Sequence, residues 1–189
     1  MAAIASLAIG YAIAQSNNST SGSSPAIDST RGDTSNDPGE PIPDPPSIET
    51  NAVVTGTALP DVSVVDLDNA DVALSSLIGQ PLIINVWGST CVPCRKELPD
   101  FAAAHLDYGD RVRFVGVSFL PPSDREENFA RERGVQYELY YDATGEFVNE
   151  IGIAAFPVTL FVRADGSIVE QRGQLDEQQL VDLIESELL

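Results

Sequence analysis

The sequence predicts an α/β domain in which a mixed β-sheet is covered by helices on both faces. Three observations point there. Strand-like and helix-like segments alternate along residues 51–189. Leu82-Ile83-Ile84-Asn85-Val86-Trp87 and Val112-Arg113-Phe114-Val115-Gly116-Val117-Ser118 are near-continuous apolar runs of strand length, the pattern of strands buried on both faces. Near the end, two further strand-like runs flank Asp165-Gly166, a strong hairpin signal. Alternation implies crossover helices and a parallel core, and a closing hairpin adds antiparallel strands, so the sheet is mixed.

Residues 1–14 are apolar and uncharged after Met1 and close with Ala12-Ile13-Ala14 before Gln15, a small-residue pattern of the kind signal peptidase accepts. They read as an export signal or a membrane anchor. No Lys or Arg precedes the apolar part and it falls short of the roughly 20 residues of a span; a truncated start would account for both. Residues 15–50 change to Ser, Asn, Thr, Gly, Asp and Pro and end in Pro41-Ile42-Pro43-Asp44-Pro45-Pro46. Such a segment buries too little apolar surface to offset its ordering entropy, so it reads as a disordered linker, stiffer toward its proline-rich end.

The domain, residues 51–189, opens with a strand at 62–67, a turn at Asp68-Asn69-Ala70-Asp71 and a short strand at 72–74, an N-terminal β-hairpin. The buried strand 82–87 leads into a helix from Cys91 to about Leu106, with Pro99 expected to kink it. The strand 112–118 follows. Residues 123–133 have helical composition and start with Ser123 three residues before Glu126, the spacing of a capping box. A short strand is expected at 137–141, a helix at 143–151, and the hairpin of strands 158–162 and 167–170. Leu180, Ile184 and Leu188 recur every four residues behind Asp176 and Gln179, a second capping-box spacing, and predict a C-terminal amphipathic helix.

Charge narrows the function. Ten Lys+Arg against 29 Asp+Glu give a net charge of −19, which repels a phosphate backbone and argues against nucleic-acid binding. Two cysteines are too few for a disulfide scaffold or a four-cysteine zinc site, so if they act they act as a pair; the competing readings are half of a zinc site or two inert core cysteines. That pair is Cys91-Val92-Pro93-Cys94, placed just after a buried strand and at the start of a helix. There the first backbone N–H groups lack intrahelical partners and the macrodipole is positive, which stabilises a thiolate on Cys91 and makes it the attacking sulfur. Cys94, one turn further in, is placed to resolve a mixed disulfide. Arg95 and Lys96 add local positive charge. The single His105 lies fourteen residues on, roughly 21 Å along a continuous helix, so it is neither ligand nor base for the pair and reads as a surface residue. Glu97 either tunes the thiols or, more simply, is helix surface charge. Pro157, before a strong strand, reads from composition alone as a turn or edge device with a trans bond.

In combination, Leu59-Pro60-Asp61, the hairpin after it, Asn85-Val86-Trp87, Cys91-Val92-Pro93-Cys94-Arg95-Lys96-Glu97-Leu98-Pro99 and Phe156-Pro157-Val158-Thr159 resemble the thioredoxin superfamily. Within it they are similar to the TlpA/ResA-type thiol-disulfide oxidoreductases of bacterial cell envelopes. The resemblance implies a thioredoxin-like three-layer sandwich over residues 51–189. It also implies that Pro157 is a cis-proline facing the Cys91–Cys94 disulfide, its missing N–H leaving room for an extended partner chain. Cys91, Cys94 and Pro157 are then the catalytic set, with Trp87, Thr90, Val92, Pro93 and Phe156 as the candidate docking surface; Trp87 and Phe156 read equally well as packing residues. Two positions depart from related patterns. Thr90 stands where the family commonly has an aromatic residue. Asn85 occupies the place of a buried acid in thioredoxin proper; asparagine is usual in the TlpA-like branch, and it cannot titrate.

The function expected is an extracytoplasmic protein-disulfide reductase, membrane-anchored or secreted. It needs no cofactor beyond its own disulfide and binds no metal. Its partners are protein thiols or disulfides, including the haem-attachment cysteines of apocytochrome c, and a membrane electron donor or acceptor. The oxidising direction uses the same residues. A copper chaperone of thioredoxin fold would normally recruit a distal His, which is lacking. A peroxidase of the peroxiredoxin kind needs Thr or Ser three residues before its reactive cysteine, where Gly88 and Cys91 stand.

Overall fold

The computed structural model describes residues 48–189, so the expectations for residues 1–14 and for nearly all of the linker 15–50 lie outside the described residues. In chain order the strands are β1 (Ser63–Val65), β2 (Asp71–Ala73), β3 (Leu82–Trp87), β4 (Arg113–Ser118), β5 (Glu138–Tyr141), β6 (Val158–Val162) and β7 (Ile168–Arg172). The helices are α1 (Val92–Tyr108), α2 (Asp124–Arg131), α3 (Glu146–Glu150) and α4 (Glu177–Leu183), the last continued by a π-helical turn at Ile184–Leu188.

One seven-stranded sheet has the order β2-β1-β5-β4-β3-β6-β7. β3, β4 and β5 are parallel and joined by α1 and α2, while β1, β2, β6 and β7 pair antiparallel. All six residues of β3 are buried, as its unbroken apolar run requires. The period-2 alternation of the strands splits their side chains between two layers. Ile83, Trp87, Phe114 and Phe161 meet Leu98, Phe101, Ala130, Leu180 and Ile184 from α1, α2 and the C-terminal helix. Leu82, Ile84, Val86, Val115, Val117 and Leu160 meet Leu74, Leu77, Phe147 and Ile151 on the opposite face. The three-layer sandwich follows directly from this division.

Boundaries differ from the sequence expectation where a side chain captures the backbone. The strand expected at 62–67 stops at Val65 because Asp66 turns the chain. Its Oδ1 accepts from the Asp68 and Ala70 amides at 2.9 and 2.8 Å, and Asn69 takes φ 64°. Leu74 leaves the second strand and opens a 3₁₀ turn, Leu74–Leu77, that buries both leucines. The helix expected at 143–151 contracts to α3, since the Asp142 carboxylate accepts from the Phe147 and Val148 amides at 3.3 and 2.9 Å. α1 runs on to Tyr108 and keeps Pro99 inside its span.

Asp176 and Gln179 form the complete capping box expected. The Gln179 amide donates to Asp176 Oδ1 at 2.9 Å and the Asp176 amide to Gln179 Oε1 at 3.1 Å. At α2 only half of the box forms: Ser123 Oγ accepts from the Glu126 amide at 3.3 Å, while the Glu126 carboxylate turns inward. The hairpin at Asp165-Gly166 is present, with Gly166 at φ 89°.

Candidate active site

The sheet delivers β3 to a short loop, residues 88–90, and α1 begins immediately after it. Cys91 is the N-cap residue of α1, with extended backbone, and Pro93 sits in the first turn, where its missing N–H costs nothing. Cys91 and Cys94 form a disulfide, with their Cα atoms 5.3 Å apart. The Cys94 amide donates to Cys91 Sγ at 3.2 Å, so the sulfur takes the place of the capping acceptor for a first-turn N–H that has no intrahelical partner. That hydrogen bond and the helix dipole both favour a thiolate on Cys91. The two sulfurs differ in access: Cys91 is half-buried, whereas Cys94 is fully buried. An incoming disulfide reaches Cys91 first.

Beneath the pair lies a polar cluster in an otherwise apolar layer. Asn85, fully buried on β3, donates from Nδ2 to Glu97 Oε1 at 2.8 Å and to Thr159 Oγ1 on β6 at 3.3 Å. Glu97 Oε2 accepts from the Leu175 amide at 3.3 Å. Glu97 is therefore not the surface charge expected from the sequence; it is fully buried on the inward face of α1. Burial pushes its carboxyl up to about 7, against the lowering effect of the hydrogen bonds from Asn85 and the Leu175 amide, with Asp100 adding a small upward push. Glu97 follows Cys94 by one helical turn, about 4.5 Å along the axis of α1. Glu97 is thus a titratable group hydrogen-bonded to Asn85, which itself cannot titrate.

The remaining expected residues separate into rim and core. Thr90 and Val92 are exposed, Val92 at 60 %, and Pro93 and Phe156 are half-buried. The Phe156–Pro157 peptide bond is cis, contrary to the trans bond that composition alone suggested and as the family resemblance implied. Because Val86 pairs with Val158, Pro157 falls opposite Trp87 at the end of the sheet that carries Cys91. Trp87, expected on the docking surface, is fully buried and stacks on Phe129 with ring centroids 5.9 Å apart, so it supports the loop from below. Phe119 takes a place at the rim that the sequence did not suggest. It is half-buried and stacks on Phe156 at 4.1 Å, and its ring lies where a Cβ on Gly88 would sit, 2.6 Å away.

His105 is half-buried, set edge-on between Phe114 and Tyr137 at 5.4 Å from each, and burial lowers its pKa. It is an aromatic-cluster residue more than a surface one. Among the described residues, no group of three or more His, Cys, Asp or Glu converges on a point where a metal ion could sit.

The profile of the AhpC/TSA family matches residues 55–171. The chain belongs to the AhpC/TSA family. Relatives within reach of this AhpC/TSA domain are named thiol-disulfide oxidoreductase ResA. That of Bacillus anthracis is 26% identical over 127 residues, covering 66% of this chain and 73% of the relative; that of Bacillus subtilis is 24% identical over 133 residues, covering 69% and 74%. Among solved structures, one described as a putative protein disulfide isomerase from Bacteroides thetaiotaomicron matches with a TM-score of 0.65 at 25% identity, over 74% of this chain and 93% of that one. The DsbF structure from MTB, in mixed oxidised and reduced forms, matches with a TM-score of 0.60 at 24% identity, over 67% and 94%, and supports the fold alone. The AhpC/TSA domain described here has a thioredoxin-like fold, and the protein is a thiol-disulfide oxidoreductase.

Proposed function

We propose that the protein acts outside the cytoplasm as a reductase of disulfides in other proteins, with Cys91 as nucleophile, Cys94 as resolving thiol and cis-Pro157 bordering the docked chain. The observation that carries this is the unequal burial of the two sulfurs, with Glu97 one turn behind the inner one. In the reduced protein the Cys91 thiolate attacks a substrate disulfide. A Cys91–substrate bond forms and one substrate thiolate leaves. Glu97 accepts the Cys94 proton, the Cys94 thiolate attacks Cys91 Sγ, and the second substrate thiol is released. Two electrons pass to the substrate and the Cys91–Cys94 disulfide remains, to be reduced again by a membrane electron donor. No bound cofactor enters this cycle.

The docked segment lies in extended form along Thr90, Val92, Pro93 and Phe156, and haem-attachment cysteines of an apocytochrome c suit such a site. The apolar, uncharged start of the sequence supports an export signal or anchor; among the described residues no helix is long and apolar enough to cross a membrane. The test is a pair of variants and a potential. Cys91→Ser should abolish reduction of a protein disulfide, and Cys94→Ser should accumulate a mixed disulfide with the substrate. Equilibration with dithiothreitol or glutathione buffers should place the pair near the thioredoxin end of the scale, about −270 mV. A value near −120 mV would reverse the direction to disulfide donation, and a Cys91→Ser protein still active at the wild-type rate would overturn the roles.

A further inference from the structure

The loop that presents Cys91 is held by a residue of a different helix. The Ser89 amide, two residues before Cys91, donates to Glu126 Oε2 on α2 at 3.1 Å, and Ser118 Oγ at the end of β4 donates to the same oxygen at 3.0 Å. Ser118 Oγ in turn accepts from the Leu120 amide at 3.1 Å, and the Phe119 amide donates to the Trp87 carbonyl at 2.9 Å. Glu126 is only 2 % exposed. A glutamate at the third position of a helix ordinarily returns to the N-cap amide in the solvated half of a capping box. Here the Ser123 half of the box forms and the carboxylate is turned under the redox loop. Taking a carboxylate out of water is costly, and what it gains is an amide N–H of the loop that would otherwise be buried without an acceptor. Among the described residues, no other charged side chain hydrogen-bonds to residues 88–90.

The position of Cys91 depends on that loop. The Cys91 amide donates to the Gly88 carbonyl at 3.0 Å, and the thiolate is favoured only while Cys91 stays at the head of α1 with the Cys94 amide 3.2 Å from its sulfur. We infer that Glu126 is a positioning residue for the redox pair. Through the Ser89 amide it fixes the loop that sets Cys91 at the helix N-terminus, and thereby the acidity of the attacking thiol. The inference rests on the oxidoreductase reading above and adds a residue that touches neither sulfur.

The experiment uses the reduced full chain and follows the alkylation rate of Cys91 against pH, together with the rate of exchange with a small aromatic disulfide. Glu126→Ala should raise the alkylation midpoint by roughly half to one pH unit and slow exchange about three- to tenfold. Glu126→Gln should restore both to within about twofold, because its amide oxygen can accept the same two hydrogen bonds. Should Glu126→Ala fail to fold, Glu126→Asp carries the test: its carboxylate stops one methylene short of Ser89, and the same upward shift is expected. A folded Glu126→Ala or Glu126→Asp protein that titrates and exchanges like wild type overturns the inference. So does a Glu126→Gln protein shifted as far as Glu126→Ala, since charge and not position would then be at work. Absence of a reversible Cys91–Cys94 couple in the wild type would instead overturn the functional reading, so the two failures are separable.

Discussion

Replacing Glu97 by Gln should remove a pH dependence from the stability of the oxidised protein. In the folded state Glu97 keeps its proton up to about pH 7, because burial disfavours the carboxylate, whereas its ordinary value is 4.5. Between those values the folded protein binds more protons than the unfolded chain, so stability falls as pH rises. Below about pH 4.5 the group imposes no penalty; above about pH 7 the penalty is complete. A gap of about 2.5 pH units, at roughly 1.4 kcal/mol each, amounts to about 3 kcal/mol. Most of that, about 2–3 kcal/mol, develops between pH 5 and pH 8. Glutamine cannot ionise, and its only expected cost is a poorer partner for the Leu175 amide, about 1 kcal/mol at every pH. Urea unfolding of both proteins at pH 5 and pH 8, with the disulfide closed so that no thiol titrates, gives the comparison. The lowered pKa of His105 contributes to both proteins and cancels. Wild type should lose about 2–3 kcal/mol more than Glu97→Gln across that range; parallel curves would refute a buried carboxyl that titrates near neutrality.

The same substitution should change kinetics. Release of a trapped substrate by Cys94 should accelerate through about pH 7 in wild type, as Glu97 becomes able to accept a proton, and Glu97→Gln should lack that rise while accumulating mixed disulfide on non-reducing gels. Asn51→Ala removes the acceptor of the Ala154 and Ala155 amides and the donor to the Ala155 carbonyl, at 2.7, 2.8 and 2.9 Å. It should destabilise by about 2–4 kcal/mol in urea titrations, and a loss below about 1 kcal/mol would show that water takes over these bonds. Gly88→Ala places a methyl 2.6 Å from the Phe119 ring and should drive that ring off Phe156. The expected signs are altered ring-current shifts for both phenylalanines and protein-disulfide reduction slowed by about two- to tenfold, with small disulfides less affected.

The architecture was legible in the sequence wherever local pattern and burial agree. The run from Leu82 to Trp87 can only be a central strand, Asp165-Gly166 can only turn, and a CxxC pair after such a strand is carried to a helix N-terminus. Residues with two plausible environments were misread. Glu97 follows Cys94 by three and precedes Phe101 by four, both fully buried, so helical spacing already placed it on the inward face. What spacing alone does not supply is the reason a carboxylate tolerates that face. Its partners, Asn85 and the Leu175 amide, come from elements 12 and 78 residues away in the chain. Trp87 illustrates the converse. Alternation from Ile83 puts it on the α1 side of β3, beneath the helix and away from solvent. Glu126 was hidden by a correct local signal, since the capping-box spacing is real but only its serine half is used.

The Asn85–Glu97 cluster makes little sense as a device for stability. Ionised, Glu97 costs about 3 kcal/mol by the arithmetic above, whereas the three ion pairs of the described surface, Arg113–Glu138, Arg131–Glu127 and Arg172–Glu170, are partly exposed and are worth at most about 1 kcal/mol each. An apolar side chain in place of Glu97 would fill the same layer without that penalty, provided Asn85 were changed with it. Asn85 itself keeps Oδ1 buried with no partner, a second cost in the same layer. Both costs fall in the cluster reached by Glu97, one helical turn after the fully buried Cys94. In the proposed cycle Cys94 loses a proton inside the protein to resolve a mixed disulfide and regains one when the pair is reduced, and its sulfur is fully buried. In the cycle proposed above, a carboxyl pushed up to about 7 one turn away on α1 suits that transfer in both directions, which gives the buried polar cluster a role that stability alone does not.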